Sequence, residues 1–285
     1  MSRVAARKDP FHFAICLVVY VSFYVASDFV LLRTLPWLVG AFFAASLAVL
    51  VASLFANLAA LRIYENRGLA AAGLAVNRAS VRNLALGVVG GTGSACLVLL
   101  PPLLAGAARL TPIPDPPAIG TLSFVTAALA IGSAGEEILF RGYGFQILMA
   151  AAGPFAAIFP VGALFALMHT GNPSATWFGI ANTAGFGILF GYAYYRTRDL
   201  WLPIGLHFGW NLTLPLFGVN VSGLKIGMTG HEMVWKAGAL WSGGEYGPEA
   251  SILTTAALVL LWVYVGRAPI GRQISPLTDP PKDGA

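Results

Sequence analysis

Three charged side chains stand close together in the apolar stretch of residues 132–144, GSAGEEILFRGYG. A charged side chain at bilayer depth costs about 2.5–3.5 kcal/mol. The presence of Glu136, Glu137 and Arg141 together in this stretch therefore indicates a function. On a helix, Glu137 and Arg141 lie about 40° from each other, the spacing at which an acid pairs best with a following base. Glu136 points about 100° away from Glu137. We therefore expect Glu137 and Arg141 to form a buried ion pair and Glu136 to remain free for chemistry.

Two histidines and an asparagine in later apolar stretches supply further polar groups. His169 ends the segment FALMH, and His207 opens the segment HFGWN, which closes with Asn211. A carboxylate such as Glu136 can take a proton from water, while a histidine holds that water or binds a metal. Asn211 and the second imidazole can donate hydrogen bonds to a developing oxyanion, which is worth about 3–4 kcal/mol in a dry site. Together these residue types suit hydrolysis of a peptide bond by water.

The composition of the chain indicates a membrane protein. Of its 285 residues, 57% are hydrophobic and 10% are charged, far below the roughly 25% of charged residues in a soluble domain. The net charge of +5 does not indicate a nucleic-acid partner, because the basic residues lie between apolar segments rather than on one face. We expect an all-α fold, a polytopic transmembrane helical bundle of about eight spans, with the site between spans four, five and seven.

Charged, glycine-rich and proline-rich segments separate the expected spans. The first three and the last three spans cover about residues 11–32, 35–61, 84–104, 174–195, 200–219 and 251–265. The fourth begins near residue 122, and the fifth lies between Gly153-Pro154 and residues 171–173. Gly87 and Gly91, at GxxxG spacing in the third span, predict close helix packing. Residues 111–117, TPIPDPP, are too rich in proline for a helix and should form a linker.

The charges and polar segments also predict topology and domains. The two tails and the loops after the second, fourth and sixth spans carry more Lys and Arg than the other loops. This bias predicts that both termini lie in the cytoplasm. We expect a multi-pass protein of a bacterial cell membrane. Residues 222–249 fit a loop at the membrane interface. We divide the chain into an N-terminal region of residues 1–121, a catalytic core of residues 122–219 and a C-terminal region of residues 220–285.

Three ordered motifs resemble those of the CAAX prenyl protease and bacteriocin-processing (Abi, CPBP) family of intramembrane metalloproteases. EEILFR at residues 136–141 matches the family's EExxxR, FALMH at residues 165–169 matches FxxxH, and HFGWN at residues 207–211 matches HxxxN. The motifs follow the family's order on successive membrane segments, and no core position departs from the pattern. The resemblance covers roughly residues 122–217.

The resemblance implies an intramembrane endopeptidase, a hydrolase of the CAAX type. It implies that Glu136 and His169 activate the water and that His207 and Asn211 form the oxyanion site, with the buried ion pair in support. The expected partners are membrane lipids and a protein or peptide substrate that is lipidated or embedded in the membrane. We expect no partner among nucleic acids.

A zinc ion remains an open expectation. Glu136, His169 and His207 could form a three-ligand zinc site with one position open to water. The sequence lacks the HExxH pair that is typical of most zinc proteases, so hydrolysis without a metal is an equal alternative.

The depths of the two histidines conflict with a bundle of simple spans. His169 and His207 would lie near opposite ends of their helices and differ in depth by about 10–15 Å. For the site to assemble, we expect the turn at Gly153-Pro154 to lie deep inside the protein, surrounded by protein or by a water-filled cavity.

Two other classes of function use the same residues. A proton-coupled transporter relays protons through intramembrane ionisable groups. It predicts internal repeats of broken helices, but the EExxxR segment has no second copy in the sequence. A non-catalytic scaffold or bacteriocin immunity protein on the same fold binds a partner through the same cavity. Replacement of Glu136 distinguishes this scaffold from a peptidase, because only the peptidase requires the carboxylate.

Overall fold

The computed structural model describes residues 10–279, and nearly all of their regular structure is helical. The long helices are α1 (Pro10–Thr34), α2 (Ala41–Ala60), α3 (Arg78–Leu104), α4 (Ile119–Arg141), α5 (Tyr143–Ala152), α6 (Pro154–Met168), α7 (Trp177–Thr197), α8 (Trp201–Leu216) and α9 (Ile252–Arg267). These apolar helices pack into one bundle, which confirms the expected helical membrane fold.

Helices occupy all eight of the expected spans. Among the described residues, four helical segments are long and apolar enough to cross a membrane: Pro10–Thr34, Ala41–Glu65, Arg78–Leu104 and Ile119–Ala152. Helices α6 and α9 are apolar but shorter. The fourth segment comprises two helices, because α5 follows α4 after a break at Gly142.

The break at Gly142 frees backbone groups that the side chain of Asn57 satisfies. Asn57, on α2, accepts a hydrogen bond from the Tyr143 N–H at 2.7 Å and donates one to the Ile138 carbonyl at 3.1 Å. Its side chain is completely buried. Irregular backbone is tolerated at membrane depth only where the protein supplies such partners. Helix α2 therefore stabilises the segment that carries EEILFR.

Glycines bring α8 into close contact with α3. A Cβ atom at Gly91 would lie 2.1 Å from the Leu206 carbonyl oxygen, and one at Gly205 would lie 2.4 Å from the Leu84 carbonyl oxygen. Neither position accepts a side chain unless a helix moves. The close packing predicted from the GxxxG spacing is confirmed, and it fixes the helix that carries the HFGWN motif.

The turn between α5 and α6 differs from its expected position. Gly153 has a φ of +92°, a Cβ atom there would meet no atom within 4 Å, and Ala151 and Phe155 nearby are exposed. The expectation of a turn enclosed by the protein is therefore wrong. Glu136 and His169 still reach the same level of the bundle, because they lie almost equally far from this turn, one before it and one after it. Helix α5 extends the chain beyond Glu136, so that α6 can return far enough to bring His169 to the level of Glu136.

The start of α1 and the C-terminal tail lie at the same end of the bundle. The rings of His12 and Tyr64 are in contact, with centroids 5.9 Å apart. Leu277, in the tail, is buried in one cluster with Cys16 and Leu61. This arrangement agrees with an even number of spans. The side of the membrane that this end faces stays a prediction.

A two-stranded antiparallel sheet joins the linker before α4 to the loop after α8. Its strands are β1 (Ala108–Pro112) and β2 (His231–Trp235), and Leu110 lies opposite Met233. The start of the expected irregular linker is thus part of a strand, because pairing with a distant segment leaves no clear periodic signal in so short a stretch. The sheet anchors residues 218–251, which we call the 218–251 loop, to the bundle.

Candidate active site

The buried ion pair expected from the helical spacing is present at the end of α4. Arg141 Nη1 lies 3.1 Å from Glu137 Oε1, and neither side chain is exposed. Arg141 Nη2 donates a second hydrogen bond, at 2.7 Å, to the Gly187 carbonyl on α7. Three phenylalanine rings surround the guanidinium, the nearest being that of Phe165 at 4.9 Å. The pair compensates its own charges and connects α4 to α7.

His207 is held against the same carboxylate. Its Nδ1 atom lies 2.9 Å from Glu137 Oε1, the oxygen that Arg141 also contacts. The imidazole stacks on Phe190, with centroids 5.2 Å apart and an angle of 19° between the planes. Because an ionised carboxylate only accepts hydrogen bonds, Nδ1 carries the proton in this contact. The other ring nitrogen, Nε2, faces Glu136.

Glu136 points away from the ion pair, as its position on the helix predicts. Its side chain is 32% exposed, and its Oε2 atom lies 3.9 Å from His207 Nε2. That distance is too long for a direct hydrogen bond. Within residues 10–279, no protein group hydrogen-bonds Glu136 Oε2. This oxygen therefore has no protein partner that would compete with a ligand.

His169 lies directly after α6 and is oriented by its own helix. Its Nδ1 atom lies 2.8 Å from the Phe165 carbonyl oxygen. Since a carbonyl only accepts, Nδ1 carries the proton, and Nε2 of the neutral ring keeps a free lone pair. The Phe165 ring contacts both histidines, with centroids 4.6 Å from His169 and 5.9 Å from His207. The FALMH motif thus orients one imidazole and packs against the other.

One cavity of about 380 Å³ is lined by Glu136, His169, His207 and Asn211. Asn211 lies one turn after His207 on α8, so both side chains reach the same cavity. Other walls come from outside residues 122–219, the predicted catalytic core. They include Tyr24, Phe42 and Val49 from α1 and α2, and Ser222, Leu224 and Glu249 from the 218–251 loop. The core region alone therefore does not enclose the cavity.

Glu249 is a further carboxylate at the cavity that the sequence motifs do not reveal. It is 6% exposed, and it accepts hydrogen bonds from Trp210 Nε1 at 3.1 Å and from the Ser222 N–H. Burial raises the pKa of the Glu249 carboxyl, and the hydrogen bond from Ser222 opposes that shift. In the sequence, Glu249 is one acid in a polar loop, a pattern that normally indicates a solvated side chain. Only the tertiary fold places it at the cavity.

The geometry of the described residues does not form a zinc site. Among residues 10–279, no three His, Cys, Asp or Glu side chains converge closely enough to hold a metal ion. Glu137 contacts Nδ1 of His207 and the Phe165 carbonyl contacts Nδ1 of His169, which leaves Nε2 of each ring for a ligand, as in many metal sites. What the expected three-ligand site lacks among the described residues is the convergence of the three side chains. Zinc binding by the chain stays a prediction.

A family comparison covers the part of the chain that carries the motifs. Residues 118–213 match the family described as Type II CAAX prenyl endopeptidase Rce1-like. The match spans about a third of the chain and contains all three motifs. No curated protein sequence matches the chain. The family resemblance is thereby confirmed for residues 118–213, which are similar to a family of CAAX-type peptidases, and the long apolar helices indicate a protein integral to the membrane.

Proposed function

We propose that the protein is an intramembrane endopeptidase that hydrolyses a peptide bond with a water molecule activated by Glu136. One observation carries the proposal. Glu136 lines the cavity, and its buried Oε2 atom lies 3.9 Å from His207 Nε2 without a hydrogen bond from any of the described residues. Glu137 and Arg141 balance each other's charge without Glu136. A carboxylate at such a depth is a sign of function rather than of packing.

In the proposed reaction, Glu136 accepts a proton from water while the water oxygen bonds to the carbonyl carbon of the scissile peptide. The carbonyl π electrons move to its oxygen and form a tetrahedral oxyanion. When the carbonyl re-forms, the carbon–nitrogen bond breaks, and protonated Glu136 returns its proton to the leaving amine. The products are a carboxylic acid and an amine. His169, with a free lone pair on Nε2, is the proposed second holder of the water.

His207 and Asn211 are the proposed donors to the oxyanion. Both line the cavity and lie one turn apart on α8. Donation from His207 Nε2 requires a proton on each ring nitrogen, and because Glu137 already pairs with Arg141, the nearby carboxylate of Glu136 is the further group that opposes this charge. A preorganised donor of this kind contributes about 3–4 kcal/mol to catalysis. In this scheme the ion pair is a support that orients His207.

The cavity walls support a substrate that comes from the bilayer. Phe42 and Val49 of α2 line the cavity, and no Lys or Arg does so among the described residues. The proposed partners are therefore membrane lipids and a protein or peptide that is lipidated or membrane-embedded. We also propose that the termini face the cytoplasm, because the end of the bundle with the start of α1 and Leu277 carries most of the loop arginines. The proposed membrane is that of a bacterial cell.

Cleavage of a fluorogenic peptide library, with and without an attached lipid, tests the proposal. The protein is purified into lipid nanodiscs, and Glu136→Gln is compared with Glu245→Gln, which alters an exposed carboxylate of the 218–251 loop. We expect a fall of about 100-fold or more for Glu136→Gln and no change for the control. His169→Ala should also lower cleavage, whereas His231→Ala, at an exposed histidine, should not.

Two results would contradict the proposal. Full cleavage by Glu136→Gln would show that Glu136 does not activate the water, and no cleavage of any peptide by folded wild type would favour the scaffold or transporter alternatives. A chelator tests the metal separately. Activity lost to the chelator and restored by Zn²⁺ would show that cleavage requires a metal, and resistance to the chelator would favour hydrolysis without one.

A further inference from the structure

A chain of hydrogen bonds links the segment after α6 to helix α8 through the 218–251 loop. The Asn172 N–H donates to the His169 carbonyl, and Asn172 Nδ2 donates to the Ser222 carbonyl, both at 3.1 Å. The Ser222 N–H donates to Glu249 Oε2, and Trp210 Nε1 donates to Glu249 Oε1 at 3.1 Å. We call Asn172, Ser222, Glu249 and Trp210 the loop clamp.

Glu249 is the anchor of the loop clamp. Its backbone carbonyl accepts a hydrogen bond at 2.8 Å from Asn182 Nδ2 on α7, which ties the residue to the bundle. Trp210 is 3% exposed, and its ring packs on Phe186 with centroids 4.6 Å apart. A buried carboxylate with an N–H donor on each oxygen is held more strongly than a neutral acceptor. Ser222 and Trp210 therefore share one rigid partner.

The loop clamp is also part of the cavity wall. Asn172, Ser222, Glu249 and Trp210 all line the cavity. Asn211, the proposed oxyanion donor, directly follows Trp210 on α8, and the His169 carbonyl accepts a hydrogen bond from the Asn172 N–H. Asn211 is thus next to one end of the loop clamp, and His169 is next to the other.

We propose that Glu249 is a positioning residue that sets the separation of His169 and Asn211. It acts on Asn211 through Trp210, and on His169 through Ser222 and Asn172. The inference rests on the proposed peptidase function. Glu249 lies outside residues 118–213, so the 218–251 loop contributes to the site from beyond the family match. A displacement of about 1 Å in a reacting group can lower a rate about 100-fold.

Glu249→Gln is the main test, because glutamine keeps the size of the side chain but has one acceptor oxygen. One of the two N–H donors then faces an amide NH₂, so the contact to Trp210 or to Ser222 breaks. On the peptide that wild type cleaves fastest, we expect kcat to fall about 10- to 100-fold with KM changed less than about twofold. Glu245→Gln is the matched control, since Glu245 is an exposed acid in the same loop, and its side chain accepts a hydrogen bond from Ser174 rather than from the clamp.

Trp210→Phe gives a second measure, because it removes the indole N–H and keeps an aromatic ring. If Glu249 acts through this contact, the double variant Glu249→Gln/Trp210→Phe has a kcat no lower than that of the weaker of the two single variants. If the fold-losses of kcat in the two single variants multiply in the double variant, the two residues act independently and the inference is overturned. Unchanged kcat with a lower Tm would show a purely structural role, and a rise in KM alone would assign Glu249 to substrate binding. Either result also overturns it.

Glu136→Gln, measured in parallel, separates this inference from the proposed function. If Glu136→Gln is inactive and Glu249→Gln has wild-type kcat, only the positioning role fails. If Glu136→Gln is fully active, or folded wild type cleaves no peptide, both fail. Where Glu249→Gln does not fold, Trp210→Phe carries the test, and wild-type kcat in that variant overturns the inference.

Discussion

The ion pair behind the cavity allows a quantitative test of how the site is held together. Glu137→Gln keeps the shape of the side chain and removes its charge. The guanidinium of Arg141 then keeps the Gly187 carbonyl as its acceptor, and the Nδ1 atom of His207 faces a neutral oxygen instead of a carboxylate. The change therefore leaves one buried cation without its counter-charge.

The expected loss follows from the burial of the pair. Because neither Glu137 nor Arg141 is exposed, solvent does not screen the remaining charge, and removal of one partner costs about 3–5 kcal/mol. On the scale of folded domains of this size, that corresponds to a fall in Tm of roughly 6–20 °C. Arg141→Met should lower stability by a similar amount, since it leaves Glu137 uncompensated.

The double variant Glu137→Gln/Arg141→Met separates charge from packing. It removes both charges, so no buried charge is left without its partner. We expect it to recover more than half of the stability that either single variant loses. Its cleavage activity should stay low, because His207 no longer pairs with a carboxylate. Unfolding by SDS in mixed micelles, followed by tryptophan fluorescence, measures the free energies, and the peptide assay measures activity.

Two results would refute this reasoning. One is a Glu137→Gln variant whose free energy of unfolding differs from wild type by less than about 0.5 kcal/mol, the range of surface substitutions. The other is a double variant whose loss equals the sum of the two single losses, because the two side chains would then contribute independently.

Three further predictions concern the scaffold. Asn57→Leu removes the groups that satisfy the backbone at the Gly142 break and should cost about 2–6 kcal/mol, which a lower midpoint of SDS unfolding would reveal. Gly91→Ala should lower Tm because the added methyl meets α8, whereas Gly93→Ala, whose Cβ meets nothing within 4 Å, should raise stability by about 1 kcal/mol. Burial raises the pKa of the Asp199 carboxyl, so the folded state binds an extra proton above the ordinary pKa of about 4, and the free energy of unfolding should fall as pH rises from there. This slope should disappear in Asp199→Asn, and an unchanged slope would assign it to another group.

Local geometry explains why much of the site was predictable from the sequence. The pairing of Glu137 with Arg141 and the separate direction of Glu136 follow from the angle of 100° per residue, which any α-helix imposes. The GxxxG spacing in α3 predicted close packing because small residues permit it wherever a partner helix lies. The high apolar content likewise predicted the helical bundle.

Non-local contacts account for the features that were not predicted. The turn at Gly153 is not enclosed by the protein, because α5 carries the chain beyond the level of the site before α6 returns. The sheet pairs two segments more than a hundred residues apart, and neither strand has a distinctive pattern. The roles of the site residues and the three-part division of the chain stay predictions.

Glu249 shows most clearly the difference between what the sequence determines and what the tertiary structure determines. Residue types and helical spacing determined that the chain has a carboxylate free for chemistry, two histidines and an asparagine on apolar helices. Only the tertiary structure decided that α8, α6 and the 218–251 loop meet at one cavity, and that Glu249 is buried there between Trp210 and Ser222. The physical reason is that a helix sets the direction of its own side chains, whereas the partner of a side chain in a distant loop depends on the path of the whole chain.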